Sequence, residues 1–528
     1  MLGGRRAELL RLTGIQAADQ VTSRSMRTLY RALRVHTLSH PSAGEWILVD
    51  GRHVQRVGTG EPPQADRVIE LPGTTILPGF VDAHVHLTDT GAQLQTPEVT
   101  ASRSVDELLA AVRRIVEKRQ GPTLVHGFDE SSWDRPDPPT VGDLDAVSAQ
   151  PLAIARVDGH VSFANTAALE GSGALDEEGV ERDVRGRPTG RLTRRANSLL
   201  CEWFVSSLTD RDVEALQLQA AALAASRGIT SVHEMSTPDE LELRDLRVLM
   251  SHRSRLPIDV VAYLATTDVS RVMELGLARV GGDLTIDGSL GARTAWLGAP
   301  YRDGSGTGAQ YLRDDELAEF FHDGHLAGLQ VAVHAIGDAA IRQVTSTWER
   351  VYQSLDSRGR RHFRARRHRI EHCEMPTSDL LERAAVLGLA MSVQPGFDAA
   401  WGHPGGLYER RLGWERAAGM NPFRGMVERG LEIGAGSDSP VTPMDPMAGI
   451  LAFELHHEPR QGLSREEAVR LFTIGSARLG HQEDKKGSIE PGKHADFAAY
   501  DVDPLLEPSL DGVRPVLTVS LGRDVYAA

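Results

Sequence analysis

The chain has 528 residues and a mass of 57.4 kDa, enough for about three average domains or for one barrel enzyme with insertions. Its 41% hydrophobic and 25% charged residues exclude a mostly disordered chain, and no run approaches the roughly 18 consecutive apolar residues of a membrane span. Lys+Arg 58 against Asp+Glu 73 leaves a net charge of -15, which disfavours nucleic acid and anionic membrane as partners, while Cys201 and Cys373 are too few for a disulfide framework and point to the cytoplasm.

Residues 1–25 are not expected to be a targeting signal, because polar residues such as Arg11, Gln16, Asp19 and Gln20 interrupt any apolar core. They are expected to be a poorly ordered extension, or to precede a natural start at Met26. From Arg27 to Gly73 the pattern is short strands and turns, with Trp46–Val49, an Asp50-Gly51 turn and His53–Val57 as a hairpin. Ala495–Val502, Pro515–Val519 and Arg523–Tyr526 have the same texture. The two ends are therefore expected to pair into one small β-sandwich domain, residues 26–78 with 487–528.

Between them, residues 79–486 alternate short apolar strands with amphipathic helices. The expected strands are Gly79–Ala83, Leu152–Val157, Ser231–His233, Leu284–Asp287, Gln330–His334, Arg369–His372, Ala390–Gln394 and Glu432–Ala435. The expected helices include Val105–Arg119, Asp212–Arg227, Asp314–Ala327, Asp338–Tyr352 and Arg465–Leu479. This predicts an α/β fold, a (β/α)8 TIM-like barrel. Residues of about 90–200 are too many for one βα connection and include the irregular Asp134-Arg-Pro-Asp-Pro-Pro139, so they read as an insert or cap over one mouth.

The strongest local signal is Leu77-Pro-Gly-Phe-Val-Asp-Ala-His-Val-His-Leu87. On a strand, His84 and His86 point to the same side and can chelate one metal ion. His334 and His372 each close a further strand, and Asp438 follows another in Gly434-Ala-Gly-Ser-Asp438-Ser-Pro440. Singly, each has a structural reading: a hydrogen-bonded core histidine, or a helix cap. Together they sit at strand C-termini, where barrel enzymes place catalysis. Imidazole and carboxylate ligands suit a divalent metal: Zn2+ first, with Fe2+, Mn2+ or Co2+ also compatible, as one or two ions.

These motifs resemble the amidohydrolase superfamily, in particular the branch of large amidohydrolases that includes N-substituted formamide deformylase-like proteins. Further matching segments are Arg156-Val-Asp-Gly-His160 with Asn165, Arg187-Pro-Thr-Gly190, Gly228-Ile-Thr-Ser-Val-His233, Asp287-Gly-Ser-Leu-Gly-Ala-Arg-Thr294 and Gly487-Ser-Ile-Glu-Pro-Gly-Lys-His-Ala-Asp496. The resemblance implies that His84 and His86 bind one metal together with Asp438, and that His334 and His372 bind a second where one exists. Many relatives bridge two metals with a carboxylated lysine. That position holds Asp283 here, and no lysine occurs between Arg119 and Asp484. Asp283 is expected to be the substitute carboxylate ligand or bridge, or to lie outside a one-metal site and orient a histidine.

The implied activity is metal-dependent hydrolysis, with a metal-activated water, of a carbon–nitrogen bond of amide or N-formyl type in a small molecule. Asp438 would accept the water's proton and return it to the leaving nitrogen. The alternatives are a metal-dependent esterase or lactonase, and a non-catalytic ligand-binding homologue. His160, Arg293, Gln394 and Trp133 are candidates to touch the substrate, Glu234 is a further candidate acid, and Asp338 is expected to cap its helix. The Arg360–Arg369 cluster reads as a solvated face with ion pairs, and a homodimer is possible.

Overall fold

The computed structural model describes residues 26–119, 121–133, 135, 137–236 and 240–528. The expected N-terminal extension, residues 1–25, lies outside the described residues, as do Asp134 and Pro136 of the irregular segment. Among the described residues no helix is long and apolar enough to cross a membrane.

Four strands open the described chain: β1 (Arg27–His36), β2 (Ala43–Asp50), β3 (His53–Gly58) and β4 (Arg67–Pro78). β2 and β3 form the expected hairpin, with Asp50 opposite His53. The strand β5 (Phe80–Val85) follows directly. Next come β6 (Thr123–Phe128), β7 (Leu152–Arg156), β8 (Val161–Ala164), β9 (Val180–Arg182) and β10 (Pro188–Thr193). The later strands are β11 (Ile229–Ser236), β12 (Asp259–Leu264), β13 (Arg279–Val280), β14 (Gln330–Ala335), β15 (Arg369–His372), β16 (Ala390–Val393) and β17 (Glu432–Ala435). The chain ends with β18 (Phe497–Tyr500), β19 (Pro515–Ser520) and β20 (Arg523–Ala527).

The two chain ends join in one seven-stranded sheet, ordered β20-β19-β18-β4-β1-β2-β3. Tyr30, Ile47, Ile76, Phe497 and Val519 form an apolar cluster within it. In the middle of the chain, β5, β11 and β12 form a parallel three-stranded sheet, and β13 to β17 form a parallel five-stranded one. Hydrogen bonds join these two sheets along both edges. Gly281 N–H donates to Leu264 O (2.8 Å) between β12 and β13, and Asp438 N–H donates to His84 O (2.8 Å) beside β5. β5, β11 and β14 are buried along their whole length, as expected of parallel strands covered on both faces.

Two expected strands change place. Leu152–Val157 lies outside these parallel sheets, as β7 in the separate five-stranded sheet β6-β7-β8-β10-β9, the segment called the insert below. Leu284–Asp287 is not a strand, because only Thr285 bridges to His334. The parallel set instead takes in β12, whose apolar Val260-Val-Ala-Tyr-Leu264 the strand reading passed over, and the two-residue β13. The long helix expected over Arg465–Leu479 is interrupted by a π turn at Leu471–Gly475. There Ser476 Oγ bonds the backbone of Ala435 in β17 and accepts from its N–H at 3.0 Å. The insert has apolar cores of its own, one around Phe128, Trp133 and Ile154 and another around Leu169, Leu192 and Leu200.

Candidate metal centre

β5 carries Asp82 and His84 on one side, and His86 follows at the strand end. His334 and His372 end or nearly end β14 and β15, and Asp438 follows β17. His372 and Asp438 hold φ of 68° and 53°, a left-handed backbone that residues other than glycine adopt sparingly and that recurs at functional sites.

The structure brings all four histidines, Asp438 and Asp283 together. Asp438 Oδ1 lies 3.4 Å from His84 Nε2 and 3.2 Å from His86 Nε2. Asp283 Oδ1 lies 3.2 Å from His334 Nδ1, 3.4 Å from His372 Nε2 and 3.7 Å from His84 Nε2, while Oδ2 is 3.8 Å from His86 Nε2. Asp283 thus faces both halves of the cluster. The ligand atoms of His84, His86 and Asp438, and separately those of His84, Asp283 and His372, lie within 4.8 Å of one another.

Outer partners fix where the imidazole protons sit. His84 Nδ1–H donates to Glu371 Oε2 (2.9 Å). Burial alone would raise Glu371, but the bidentate Arg369 guanidinium holds it ionised below its ordinary value. His372 Nδ1–H donates to Gln394 Oε1 (2.8 Å), and His334 Nε2–H points at the Gly288 carbonyl (3.4 Å). The remaining lone pairs of these three rings then converge on carboxylate oxygens. His84 Nε2 is buried and makes no hydrogen bond. Without a cation, acceptor faces acceptor, or the rings take protons instead. Burial opposes charge on His372, yet Asp283 and Asp438 push its pKa up to about 9. Burial likewise opposes charge on His86, and Asp438 overrides it. Three imidazoles with outward protons, and two carboxylates among their inner nitrogens, fit a divalent cation.

Beneath the cluster, Arg369 is buried and saturated. Nε and Nη2 bind Glu371 (2.8 and 2.7 Å), Nη1 reaches His233 Nδ1 (2.9 Å) and Tyr263 Oη (2.8 Å), and Nη2 also donates to Ala83 O (2.9 Å). Asp82 Oδ1 accepts from Ser437 N–H (2.9 Å) and His84 N–H (3.2 Å), tying β5 to the loop after β17, and burial pushes its pKa up to about 7. Asp287 accepts from the backbone of Ile336, Gly337 and Trp296 and so fixes the loop after β14.

Above the cluster is a cavity of about 590 Å³ between the strand ends and the insert. His160 lines it, its ring centroid 5.4 Å from that of His334. Glu234 lines it beside His86. It accepts from Leu87 N–H (2.9 Å), and burial pushes its pKa up to about 8. Trp401, Tyr408 and Glu374 form part of the wall. Tyr408 Oη donates to Glu374 Oε2 (2.6 Å), and burial raises Glu374 to about 7.

Three expected substrate contacts are elsewhere. Arg293 is exposed, off the cavity and paired with Asp303 (2.8 Å). Trp133 is packed inside the insert on Phe128, with Nε1–H donating to Ser102 O (3.0 Å). Gln394 orients His372 and does not line the cavity. Asp338 is no cap either: Gly337 takes that position, and Asp338 Oδ1 accepts from Gly298 N–H (2.9 Å). Arg369, expected at the end of a solvated basic cluster from Arg360, is instead fully buried, and nothing in the sequence marked Trp401 or Tyr408. For Arg369 the available signal was the two-residue spacing of Arg369 and Glu371, which puts opposite charges on one side of a strand.

A second group, Asp398, His456 and His457, also has the residue types of a metal site. Its ring nitrogens are already engaged. His457 bonds Asp398 (2.6 Å) and Ala417 O (3.0 Å), and His456 bonds Asn421 O (3.0 Å) and accepts from Glu458 N–H (2.9 Å). This is a satisfied structural network.

The Amidohydrolase family model matches residues 67–526. The chain belongs to that family. The putative amidohydrolase YtcJ of Bacillus subtilis (strain 168) is 29% identical over 501 residues, covering 87% of this chain and 90% of the relative. An N-substituted formamide deformylase of Arthrobacter pascens is 27% identical over 510 residues, covering 88% of this chain and 91% of that protein. An uncharacterized metal-dependent hydrolase of Pyrococcus horikoshii OT3 superposes with a TM-score of 0.72 at 26% identity, covering 92% of this chain and 99% of the other.

Proposed function

We infer that this chain is a metal-dependent hydrolase that cleaves a carbon–nitrogen bond, of amide or N-formyl type, in a small molecule. In this reading the eight parallel strands close as a (β/α)8 barrel, and the seven-stranded end sheet is the small β-sandwich-type domain. The observation that carries the reading is the convergence of inward imidazole lone pairs on Asp283 and Asp438 at the floor of the cavity. The likeness to a formamide deformylase supports the choice of bond.

His84, His86 and Asp438 would hold one ion and His334 and His372 a second, with Asp283 between them in place of the lysine that many relatives carry. Zn2+ suits the donor set best. When bound, the ion supplies a Lewis acid and water of lowered pKa. Asp438 takes the proton of the attacking water and delivers it to the leaving nitrogen as the carbon–nitrogen bond breaks, yielding a carboxylate and an amine. Glu371, Gln394 and the Gly288 carbonyl hold the rings in the tautomers that this requires.

The test is metal content per chain by elemental analysis, for wild type and Asp283→Ala, with hydrolysis of matched anilides and phenyl esters by the loaded protein. Two ions in wild type and one in the variant, with chelator-sensitive anilide hydrolysis, is the expected result. One ion in both would leave Asp283 as an orienting group. Turnover of esters alone would make the protein an esterase, and no metal with no turnover would refute the enzyme reading.

A further inference from the structure

Four imidazoles at the site come from the parallel strands or their ends, but a fifth, His160, comes from the insert. Its backbone is pinned on both sides. The Asp158 carboxylate accepts from His160 N–H through Oδ1 (3.3 Å), and its Oδ2 is held by Arg156 Nη1 (2.6 Å) and by Ser289 Oγ (2.6 Å). Ser289 belongs to the loop after β13, so this carboxylate stitches the insert to the loops at the strand ends. Arg156 is buried and also binds Glu130 (2.8 Å) and Asp129 (2.9 Å), and Asp129 accepts from Nε1 of Trp401 (3.1 Å), which also lines the cavity. On the other side, the Gly159 carbonyl accepts from Asn197 Nδ2 (2.8 Å). The clamp is packed so closely that a Cβ at Gly291 would lie 2.4 Å from Arg156 Nη1 and 2.7 Å from Asp158 Oδ2.

The His160 ring itself makes no hydrogen bond to another described residue. It stands edge-on to His334, beside Asp283. Asp438 lies against His84 and His86, in the other half of the cluster. A carbonyl group seated between the two halves would meet Asp438 on one side and His160 on the other. A rigid, hydrogen-bonded loop that presents one unpartnered donor to a reaction site is what preorganised stabilisation of developing charge requires.

We propose that His160 is a catalytic residue that donates a hydrogen bond to the substrate's carbonyl oxygen as it becomes an oxyanion, and that the Arg156–Asp158–Ser289 clamp is the device that positions it. This rests on the metal-hydrolase reading above.

The probe is methylphosphonate, a small tetrahedral oxyanion, titrated calorimetrically into Zn2+-loaded protein, with metal content measured alongside. His160→Ala is expected to keep its metal and lose about tenfold or more in methylphosphonate affinity, and His160→Gln, which restores an N–H donor, to recover part of it. The corresponding loss in kcat on any anilide the wild type turns over is about 100-fold, with KM little changed. Ser289→Ala, which leaves His160 in place and loosens its clamp, is expected to fall between. Affinity for His160→Ala within twofold of wild type at equal metal content would overturn the proposal, and so would metal loss in that variant. If wild type binds Zn2+ but not methylphosphonate, the oxyanion role falls alone. If it binds no Zn2+, the hydrolase reading falls too.

Discussion

Replacing Glu371 by Gln tests the support beneath the cluster most sharply. Both Arg369 and Glu371 are fully buried, and two short hydrogen bonds join them. Gln keeps the shape and removes the negative charge. The guanidinium then sits in the protein interior without a counter-anion, its partners being His233, Tyr263, a backbone carbonyl and the one carboxamide oxygen of the glutamine. Breaking a buried pair in this way costs about 3–5 kcal/mol, against about 0–1 kcal/mol for an exposed pair. His84 also loses the anionic acceptor of its Nδ1–H, and loss of such a partner weakens metal binding by about 10- to 100-fold. Urea unfolding in the presence of chelator reads the first effect, and competition against a chromophoric chelator reads the second. The double variant Arg369→Met/Glu371→Leu separates them. With no buried charge left, it should regain most of the lost stability, while metal affinity stays low because His84 still lacks its acceptor. A single variant within about 1 kcal/mol of wild type, or a double variant no more stable than the single, would refute the reasoning.

Other perturbations follow from the same structure. Burial alone would raise Asp259, but the buried Lys486 ammonium at 2.8 Å and Arg253 hold it well below the usual carboxylate range. Its stabilising contribution is therefore present above about pH 4 and is lost as the pH falls below that. Urea midpoints from pH 7 to pH 3 should fall less steeply in Asp259→Asn than in wild type, and parallel slopes would contradict this. Gly291→Ala pushes a methyl group into the immobile Arg156–Asp158 pair. It should cost about 1–3 kcal/mol and lower turnover with metal content unchanged, as measured by unfolding and elemental analysis. Trp348 is fully buried and stacked on Phe321 at 3.9 Å. Trp348→Ala should cost about 3–5 kcal/mol, and a loss below about 1 kcal/mol would show that the surrounding helices close over the hole.

Much of the site was legible along the chain. The two-residue period of a strand is enough to put His84 and His86 on one side, and the apolar Val331-Ala-Val333 before His334 marks a strand end without any knowledge of its neighbours. Asp283 stood out because a lysine was missing there. Its contacts with four imidazoles depend on how β13 lies beside β14 and on the closeness of β5. The strands passed over show a similar limit. β12 is as apolar as the strands recognised, but β13 has two residues, too short for any period to register.

The misplaced side chains have a common physical cause. Trp133 follows a single helical turn and Trp401 ends a short helix, Pro395–Trp401, yet Trp133 is buried inside the insert and Trp401 lines the cavity. Arg293 sits in a glycine-rich loop that looks ready to bind an anion, and a left-handed backbone with φ of 60° leaves it exposed and paired with Asp303. Local sequence carries the period of a strand and the chemistry of a ligand. The direction of a loop side chain is set by which distant carboxylate, carbonyl or ring it meets. For His160 that direction is decided by Arg156, Asp158, Ser289 and Asn197, which only the packing of the insert against the strand ends brings together.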